Sequence, residues 1–533
     1  MLTGDGHFEN PKNHASRWKK PKERRRLGSY HGAQAIVSTP DSGVGRVTIE
    51  MLPDNVLLDV FKFYVNEAGR IEKWDTLVHV CRRWRTVVFM SPRCLGLQLF
   101  CTARKPVRET LDVWPPLPIV IRHGCYPAFG MDNILAALKH SGRVCEIRLC
   151  PVPRCQWDKV LVEMGHSFPE LTDLKLQLKD ETGPVVPHCF LGGFAPRLRS
   201  LRFERIPFPG LPNLLSSATG LVKISLQKIP HSGYISPEAM VTCLSTLTSL
   251  AELELSFVSP LSRPDRESRR LLPFTRRSVL PALRHLGFVG VSEYLEDLLS
   301  QIDCPLLDSL QIKFFHQLIF DTPQLTRFIC RTPELEARQE ARIDISNSGI
   351  SVLVSGVVAK GLRLEISCRP LDWQLSSLAQ ICSSSIPPTL ISSLEHLYIC
   401  NDEHSRPLLW QGDIENSQWL ELLRPFTSVK SLHLSREFTQ RIVPALQEVV
   451  KEEMTEVLPA LQRLCFEEQP SGQIQEAILE FITARARSST PWPFLKTVTF
   501  EFSMYTLAST IIVSLGTRFC APGILNSILF TTS

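Results

Sequence analysis

The sequence lacks the short signatures that mark most enzymes. No G-x-S-x-G elbow, Walker loop, H-E-x-x-H pair or glycine-rich nucleotide fingerprint after a predicted strand occurs in its 533 residues. The 16 cysteines form no C-x-x-C pair, and the spacing of Cys145, Cys150, Cys155 and His166 matches no zinc finger or knuckle. The sequence therefore predicts a non-catalytic protein with no metal and no other cofactor.

Long apolar runs are also missing. The longest run near the end, Leu507 to Leu515, is far shorter than a membrane span, and the first residues are polar. No N-x-S/T glycosylation acceptor occurs, and cysteines such as Cys330 and Cys400 lie at apolar positions, as buried thiols do in reducing compartments. We expect a soluble protein of the cytoplasm, the nucleus or both, without a membrane partner.

An excess of charge of one sign is confined to the first 46 residues. They hold nine Lys and Arg against four acidic residues, which accounts for the net charge of +5 and leaves 50 of each sign elsewhere. The balanced remainder argues against nucleic acid as a partner. Residues 1–46 lack hydrophobic periodicity and are expected to be a disordered basic arm. A dense run in this arm is a candidate nuclear localisation signal or, alternatively, only a solvated tail: Lys19, Lys20, Lys22, Arg24, Arg25 and Arg26.

From Leu117 onwards the sequence repeats the pattern L-x-x-L-x-[LIF]. Seven copies begin at residues 144, 171, 198, 221, 250, 283 and 307, and four more begin at 394, 429, 461 and 495, with 23 to 35 residues between starts in each block. Alternation within each copy predicts a short β-strand with one buried face, and the spacing between copies predicts helices. Such units are typical of leucine-rich repeats, with parallel strands on the concave side and helices on the convex side.

The repeats depart from the leucine-rich-repeat pattern. Eight residues after the leading Leu, where the consensus has Asn, the early copies carry other residues: Lys179, Ile206, Ile229, Val258 and Val291. We therefore expect an irregular α/β solenoid at residues 101–504, followed by a tail of uncertain structure at 505–533. The stretch Thr332 to Ser393 fits worst, although Arg342 to Ser346 and Leu362 to Ser367 still look like strands. An ordinary α/β domain is the alternative.

Residues 47–100 are predicted to form a short helical module. Pro53-Asp54 is typical of a helix start, because proline fits the beginning of a helix and the helix dipole favours negative charge there. Apolar residues then recur at helical spacing in two segments: Val56, Leu57, Val60, Phe61 and Tyr64, then Trp74, Leu77, Val80, Cys81, Trp84 and Val88. A module of this size cannot bury so many large side chains, so these faces pack on the rest of the chain or dock on a partner.

The combination of motifs in this module resembles the F-box, which binds Skp1 in cullin–RING ubiquitin ligases. The resemblance rests on Leu52-Pro53, Leu57-Leu58, Val60-Phe61 and Val80-Cys81-Arg82-x-Trp84, and it covers roughly Ile49 to Val120. The continuation through Pro92-Arg93, Leu97 to Leu99 and Thr110 to Pro115 is similar to the expanded F-box families of mushroom-forming fungi. The linker between the two halves is longer than in a compact F-box. The resemblance implies these contacts with Skp1: Leu52, Pro53, Leu57, Phe61, Val80, Cys81 and Trp84.

An F-box protein of this kind is the substrate-recognition adaptor of an Skp1–cullin–F-box ubiquitin ligase, so the repeats are expected to capture a protein target. The outward positions of the early strands are mixed in sign, which favours a protein over nucleic acid. Four of them are predicted to contact the target: Lys175, Arg202, Ser225 and Glu254.

Two other functions fit the sequence. One is a leucine-rich-repeat scaffold that works without ubiquitination and whose helical module closes the array. The other is a nuclear protein whose basic arm touches nucleic acid. The scaffold predicts that Leu52, Phe61 and Trp84 are buried, whereas the adaptor predicts that they are exposed.

Overall fold

A computed structural model describes most of the chain after residue 48. The described residues are 49–67, 74–92, 94–102, 111, 114–124, 130–180, 183–264, 277–335, 339–355, 360–368, 370–401, 415–451, 456–468, 472–487, 497–501, 510–514 and 531–532. The predicted basic arm, with its candidate nuclear localisation signal, lies outside them. The chain divides into two units, Met1–Val56 and Leu57–Ser533. The described part of the first unit contains a 3-10 helix, Ile49–Met51, and the first residues of an α-helix.

Three short helices open the described chain: Asp54–Glu67, Trp74–Val78 and Arg82–Met90. The first begins directly after Pro53, as predicted. The second apolar segment of the sequence is two helices, because the chain is extended at Cys81. The Sγ atom of Cys81 accepts a hydrogen bond from the backbone N–H of Trp84 at 3.4 Å, so Cys81 caps the third helix.

The second unit is built on one long sheet, which has 18 strands in the described residues. All strands are numbered here in chain order: β1 Leu99–Thr102, β2 Ile119–His123, β3 Val144–Val152, β4 Asp173–Leu178, β5 Ser200–Glu204, β6 Lys223–Ile229, β7 Glu252–Phe257, β8 Ser278–Val279, β9 His285–Gly290, β10 Ile302–Asp303, β11 Ser309–Phe315, β12 Glu340–Ser346, β13 Gly349–Ser355, β14 Gly361–Ser367, β15 His396–Asn401, β16 Ser431–Leu434, β17 Arg463–Phe466, β18 Thr497–Glu501, β19 Thr510–Ser514 and β20 Thr531–Thr532. Each of the eleven predicted repeat cores overlaps one of these strands.

The strands pair mostly in parallel and in sequence order. From β1 to β7, then through β9 and β11, each strand pairs with its neighbour in parallel. The same holds from β15 to β18. β8 and β10 form a separate parallel pair. The predicted parallel repeat sheet is therefore present, and in the tail β19 and β20 continue it with antiparallel pairing.

An insertion interrupts the array where the sequence fitted the repeat worst. β14 pairs in parallel with β11, and β12 pairs in parallel with β15. Between them β13 runs antiparallel to both β12 and β14. The two predicted strands, Arg342 to Ser346 and Leu362 to Ser367, lie in β12 and β14, whereas β13 was not predicted.

Helices follow most of the strands, and their apolar side chains join those of the strands in one continuous core. They are Met131–Leu138, Arg154–Glu163, Leu211–Ser217, Pro237–Leu244, Ser292–Leu299, Pro323–Cys330, Leu371–Ser384, Pro388–Ser392, Asn416–Leu423, Arg436–Lys451 and Gly472–Arg487. On β4 the leucines at 174, 176 and 178 are buried, whereas the alternate residues are half-buried. We call the surface made by these alternate residues the open face. None of the described helices is both long and apolar enough to cross a membrane.

Candidate protein-binding surfaces

The first helix carries two apolar rows in different environments. Leu57 and Phe61 are 0% and 1% exposed, whereas Val60 and Phe63 are 45% and 66% exposed. The Phe61 ring packs on Trp84, with 4.7 Å between ring centroids. Leu57 and Phe61, both predicted as Skp1 contacts, therefore lie in the interior, and an outer row of Val60, Phe63 and Tyr64 faces solvent.

Aromatic rings hold the second and third helices together. The Trp74 ring meets the Trp114 ring edge-on, with centroids 5.3 Å apart, and the Phe89 ring lies 6.0 Å from Trp114. Trp74 Nε1 donates to the Gln98 carbonyl at 3.2 Å. Arg85 Nε donates to the Val78 carbonyl at 2.9 Å and so satisfies the end of the second helix.

Of the other predicted Skp1 contacts, some are exposed and some are half-buried. Val80 is 56% exposed, Pro53 and Cys81 are exposed, and Leu52 and Trp84 are half-buried. Of the twenty large apolar side chains exposed in the described residues, eight lie between residues 49 and 90. Such a concentration is typical of a region that contacts a partner.

The four predicted target contacts lie side by side on the open face. Lys175 on β4 is the register partner of Arg202 on β5, which in turn faces Ser225 on β6 and then Glu254 on β7. The same register line continues from Lys175 to Arg148 on β3 and Arg122 on β2. We call these six residues the open-face row. Its charges run from four cations at one end to a carboxylate at the other.

The carboxylate end of the row is satisfied within the protein. The hydroxyl of Ser225, itself 0% exposed, donates to Glu254 Oε2 at 2.5 Å, and Gln227 Nε2 donates to the same oxygen at 3.0 Å. Burial alone raises the pKa of Glu254, but these two hydrogen bonds and the charges of Lys223 and His285 outweigh it, so the pKa is below its ordinary value. Ser225 and Glu254 therefore serve the sheet itself.

The cationic end is less well neutralised. Arg122 and Arg148 share one carboxylate oxygen of Glu146, at 2.8 and 2.9 Å from their Nε atoms. Lys175 makes no ion pair or side-chain hydrogen bond with any described residue. Arg202 Nη2 donates only to the neutral amide oxygen of Gln227, at 3.1 Å, and its buried Nε has no partner in the described part of the chain.

A pair of neighbouring histidines, His396 on β15 and His433 on β16, was not predicted. His433 stacks on Tyr398 with 4.2 Å between ring centroids, and its Nε2 lies 3.2 Å from the Ser431 hydroxyl. Burial, followed by the neighbouring His396 and Arg463, lowers the pKa of His433 to about 4. The alternation of Ser-Leu-His-Leu at 431–434, which puts His433 on the open face, was the available signal.

A cavity of about 340 Å³ beside β10 offers little chemistry. Its lining includes Asp303, Cys304 and Arg331. Arg331 Nε donates to Asp303 at 2.9 Å, so the two charges already neutralise each other. Burial raises the pKa of the Cys304 thiol to about 12, which keeps it protonated and unreactive near neutral pH. Among the described residues no group of three or more His, Cys, Asp or Glu side chains is placed to hold a metal ion.

No protein-family model and no curated protein matches the sequence. Among solved structures, the leucine-rich repeat-containing protein LegL7 from Legionella pneumophila is similar at 12% sequence identity, with a TM-score of 0.26. The match covers 74% of this chain and 100% of that one. A likeness of this size implies neither a shared family nor a shared function.

Proposed function

We propose that the protein is a non-catalytic adaptor that binds Skp1 through its amino-terminal helices and a protein target through the open face of its sheet. The supporting observation is the outer row of the first helix, where Val60, Phe63 and Tyr64 are exposed at i, i+3 and i+4. An apolar row with this spacing suits docking into a hydrophobic groove. The resemblance of the same segment to the F-box supplies the identity of the partner.

In this proposal the two rows of the first helix have separate tasks. Leu57 and Phe61 hold the helix in place, because Phe61 is packed on Trp84. The contact with Skp1 is made by Val60 and Phe63, together with exposed residues such as Val80. A few side chains packed near the centre of an interface contribute most of the affinity, and aromatic residues are common among them.

The catalytic steps belong to the cullin–RING partners. The adaptor would contribute proximity, because a target held on the sheet has a high effective concentration near the ubiquitin-loaded enzyme. This role requires two separate binding surfaces, and the helices at 54–90 and the open-face row supply one each.

The proposal is tested with the full-length chain and purified Skp1 by isothermal titration calorimetry. Replacing two outer-row residues, Val60→Ala with Phe63→Ala, is expected to weaken Skp1 binding at least tenfold. Leu318→Ala with Ile319→Ala is the matched control, since these side chains are 81% and 77% exposed elsewhere on the protein. The control should bind within twofold of wild type. Equal losses in both double variants, or no binding by the folded wild type, would contradict the proposal.

A scaffold that acts without ubiquitination is the second candidate. The burial of Leu57 and Phe61 favours it, because a helical module that only closes the repeat array needs an inner apolar row and no partner. Folded wild-type protein that fails to bind Skp1 would leave this candidate standing.

A further inference from the structure

The open-face row is short of negative charge at one end only. Glu254 already accepts hydrogen bonds from Ser225 and Gln227. Arg202, by contrast, reaches a neutral amide, and Lys175 has no polar side-chain partner in the described residues. The cations of the row are therefore available to a ligand, whereas its carboxylate already accepts hydrogen bonds from residues of the protein.

Carboxylates on β3, β4 and β5 are engaged with other groups. Glu146 is shared by Arg122 and Arg148. Asp173 accepts from the Thr172 hydroxyl at 3.0 Å, and Glu204 is paired with Lys228 at 2.6 Å. No carboxylate in the described residues therefore lies within ion-pair distance of Lys175 or Arg202.

This arrangement has an energetic cost that an anion would offset. Neighbouring strands lie about 4.8 Å apart, so the side chains of Lys175 and Arg202 start close together. Like charges placed directly opposite each other destabilise a sheet. Because Arg202 is only half exposed, an opposite charge placed beside it interacts more strongly than it would in bulk water.

We propose that Lys175 and Arg202 form a binding site for an anionic group, a carboxylate or a phosphate, on a short acidic segment of the target protein. This inference rests on the proposed function only in taking the ligand to be the target. A protein segment fits better than nucleic acid, because the same row ends in the carboxylate of Glu254 on β7, whose hydrogen-bond donors Ser225 and Gln227 are uncharged. A continuous polyanion that crosses the strands would be repelled there, whereas a short acidic motif would not.

The test is fluorescence anisotropy with the full-length chain and three labelled probes of matched length. One is a glycine–serine peptide with three central glutamates, the second has phosphoserines in their place, and the third is a single-stranded oligonucleotide. Lys175→Gln with Arg202→Gln should weaken binding of an acidic peptide at least tenfold, and the better peptide distinguishes carboxylate from phosphate. Arg197→Gln with Lys360→Gln removes the same charge from cations paired with Glu170 and Asp308 and should change affinity less than twofold.

The outcomes separate this site from the Skp1 proposal. The double variant at residues 175 and 202 should keep the wild-type Skp1 affinity, because neither residue lies in the helices at 54–90. Its thermal midpoint should not fall below that of wild type, because the substitutions remove the repulsion between two neighbouring cations. Equal weakening by both pairs of substitutions, no binding of either peptide by wild type, or binding of the oligonucleotide alone would overturn the inference whether or not Skp1 binds.

Discussion

His433 shows how its surroundings set the charge of one residue. Burial, followed by the nearby His396 and the cationic Arg463, lowers its pKa to about 4. The register partners of His433 are Tyr398 on β15 and Cys465 on β17, which lie beside it on the open face. Glu467 is the first residue after β17. In the unfolded chain a histidine binds a proton with a pKa near 6.5. Protonation between these two values therefore favours unfolding.

The stability of the protein should consequently fall as the pH decreases from about 6.5 towards 4. A pKa difference of this size corresponds to about 3 kcal/mol, and solvent around the half-buried ring reduces the effect to roughly 1 to 2 kcal/mol. His433→Gln should remove that part of the pH dependence. Urea unfolding between pH 7 and pH 4.5 measures it, with the exposed His140→Gln as control. Identical pH profiles for wild type and both variants would contradict the assignment.

Two nearby phenylalanines illustrate what separates structural from contact residues. Phe61 is 1% exposed and Phe63 is 66% exposed, although both lie on one helix and both are apolar. Their hydrophobicity is the same, and the resemblance of the sequence to the F-box favoured Phe61 as the contact residue. The position of Trp84, 23 residues further along, decides which of them is buried.

At the scale of elements, the antiparallel insertion of β12 to β14 depends on a tight backbone approach. Gly361 has φ +148°, and a Cβ added there would lie 2.3 Å from the Val354 carbonyl oxygen on the paired strand β13. No side chain fits in that space without a shift of the backbone.

Gly361→Ala should therefore destabilise the protein by about 1 to 3 kcal/mol. Gly142→Ala is the control, because a Cβ at that position meets nothing within 4 Å. Thermal unfolding followed by circular dichroism compares the two. If Gly361→Ala melts with the control, the pairing of β13 with β14 is wrong.

The antiparallel direction of β13 could have been predicted from the sequence. Its buried residues Ile350, Val352 and Val354 alternate as in any other strand. Only Asn347 and Ser348 separate it from β12, and a connection of two residues can join only antiparallel strands. The repeat pattern does not predict β13, because this strand lacks the leading leucines.

At the scale of the whole molecule, the exposure of each cysteine shows whether the repeats around it are closely packed. The described cysteines are free, and they divide into an exposed group, a buried group and three of intermediate exposure, Cys145, Cys150 and Cys400. The exposed group is Cys81, Cys94, Cys155, Cys189 and Cys330, and the buried group is Cys101, Cys243, Cys304, Cys368, Cys382 and Cys465. Burial raises the pKa of Cys382, like that of Cys304, to about 12.

Maleimide at pH 7 should therefore label the exposed group in the native protein and the buried group only after denaturant is added, since a thiol reacts as its accessible thiolate. Peptide mass spectrometry gives the rate at each cysteine. Native-state labelling of Cys304 or Cys382 as fast as Cys155 would show that the repeats around them are not closed.

Local sequence patterns were enough to predict the position of the repeat strands, the start of the first helix after Pro53 and the placement of Lys175, Arg202 and Glu254 on the open face. These features follow from local periodicity, which depends only on residues that are close together in the sequence. Which apolar row of the first helix is buried, and which open-face charges are already paired, is visible only in the folded protein. Both depend on contacts between residues far apart in the chain, such as Phe61 with Trp84 and Ser225 with Glu254, and local periodicity does not encode them.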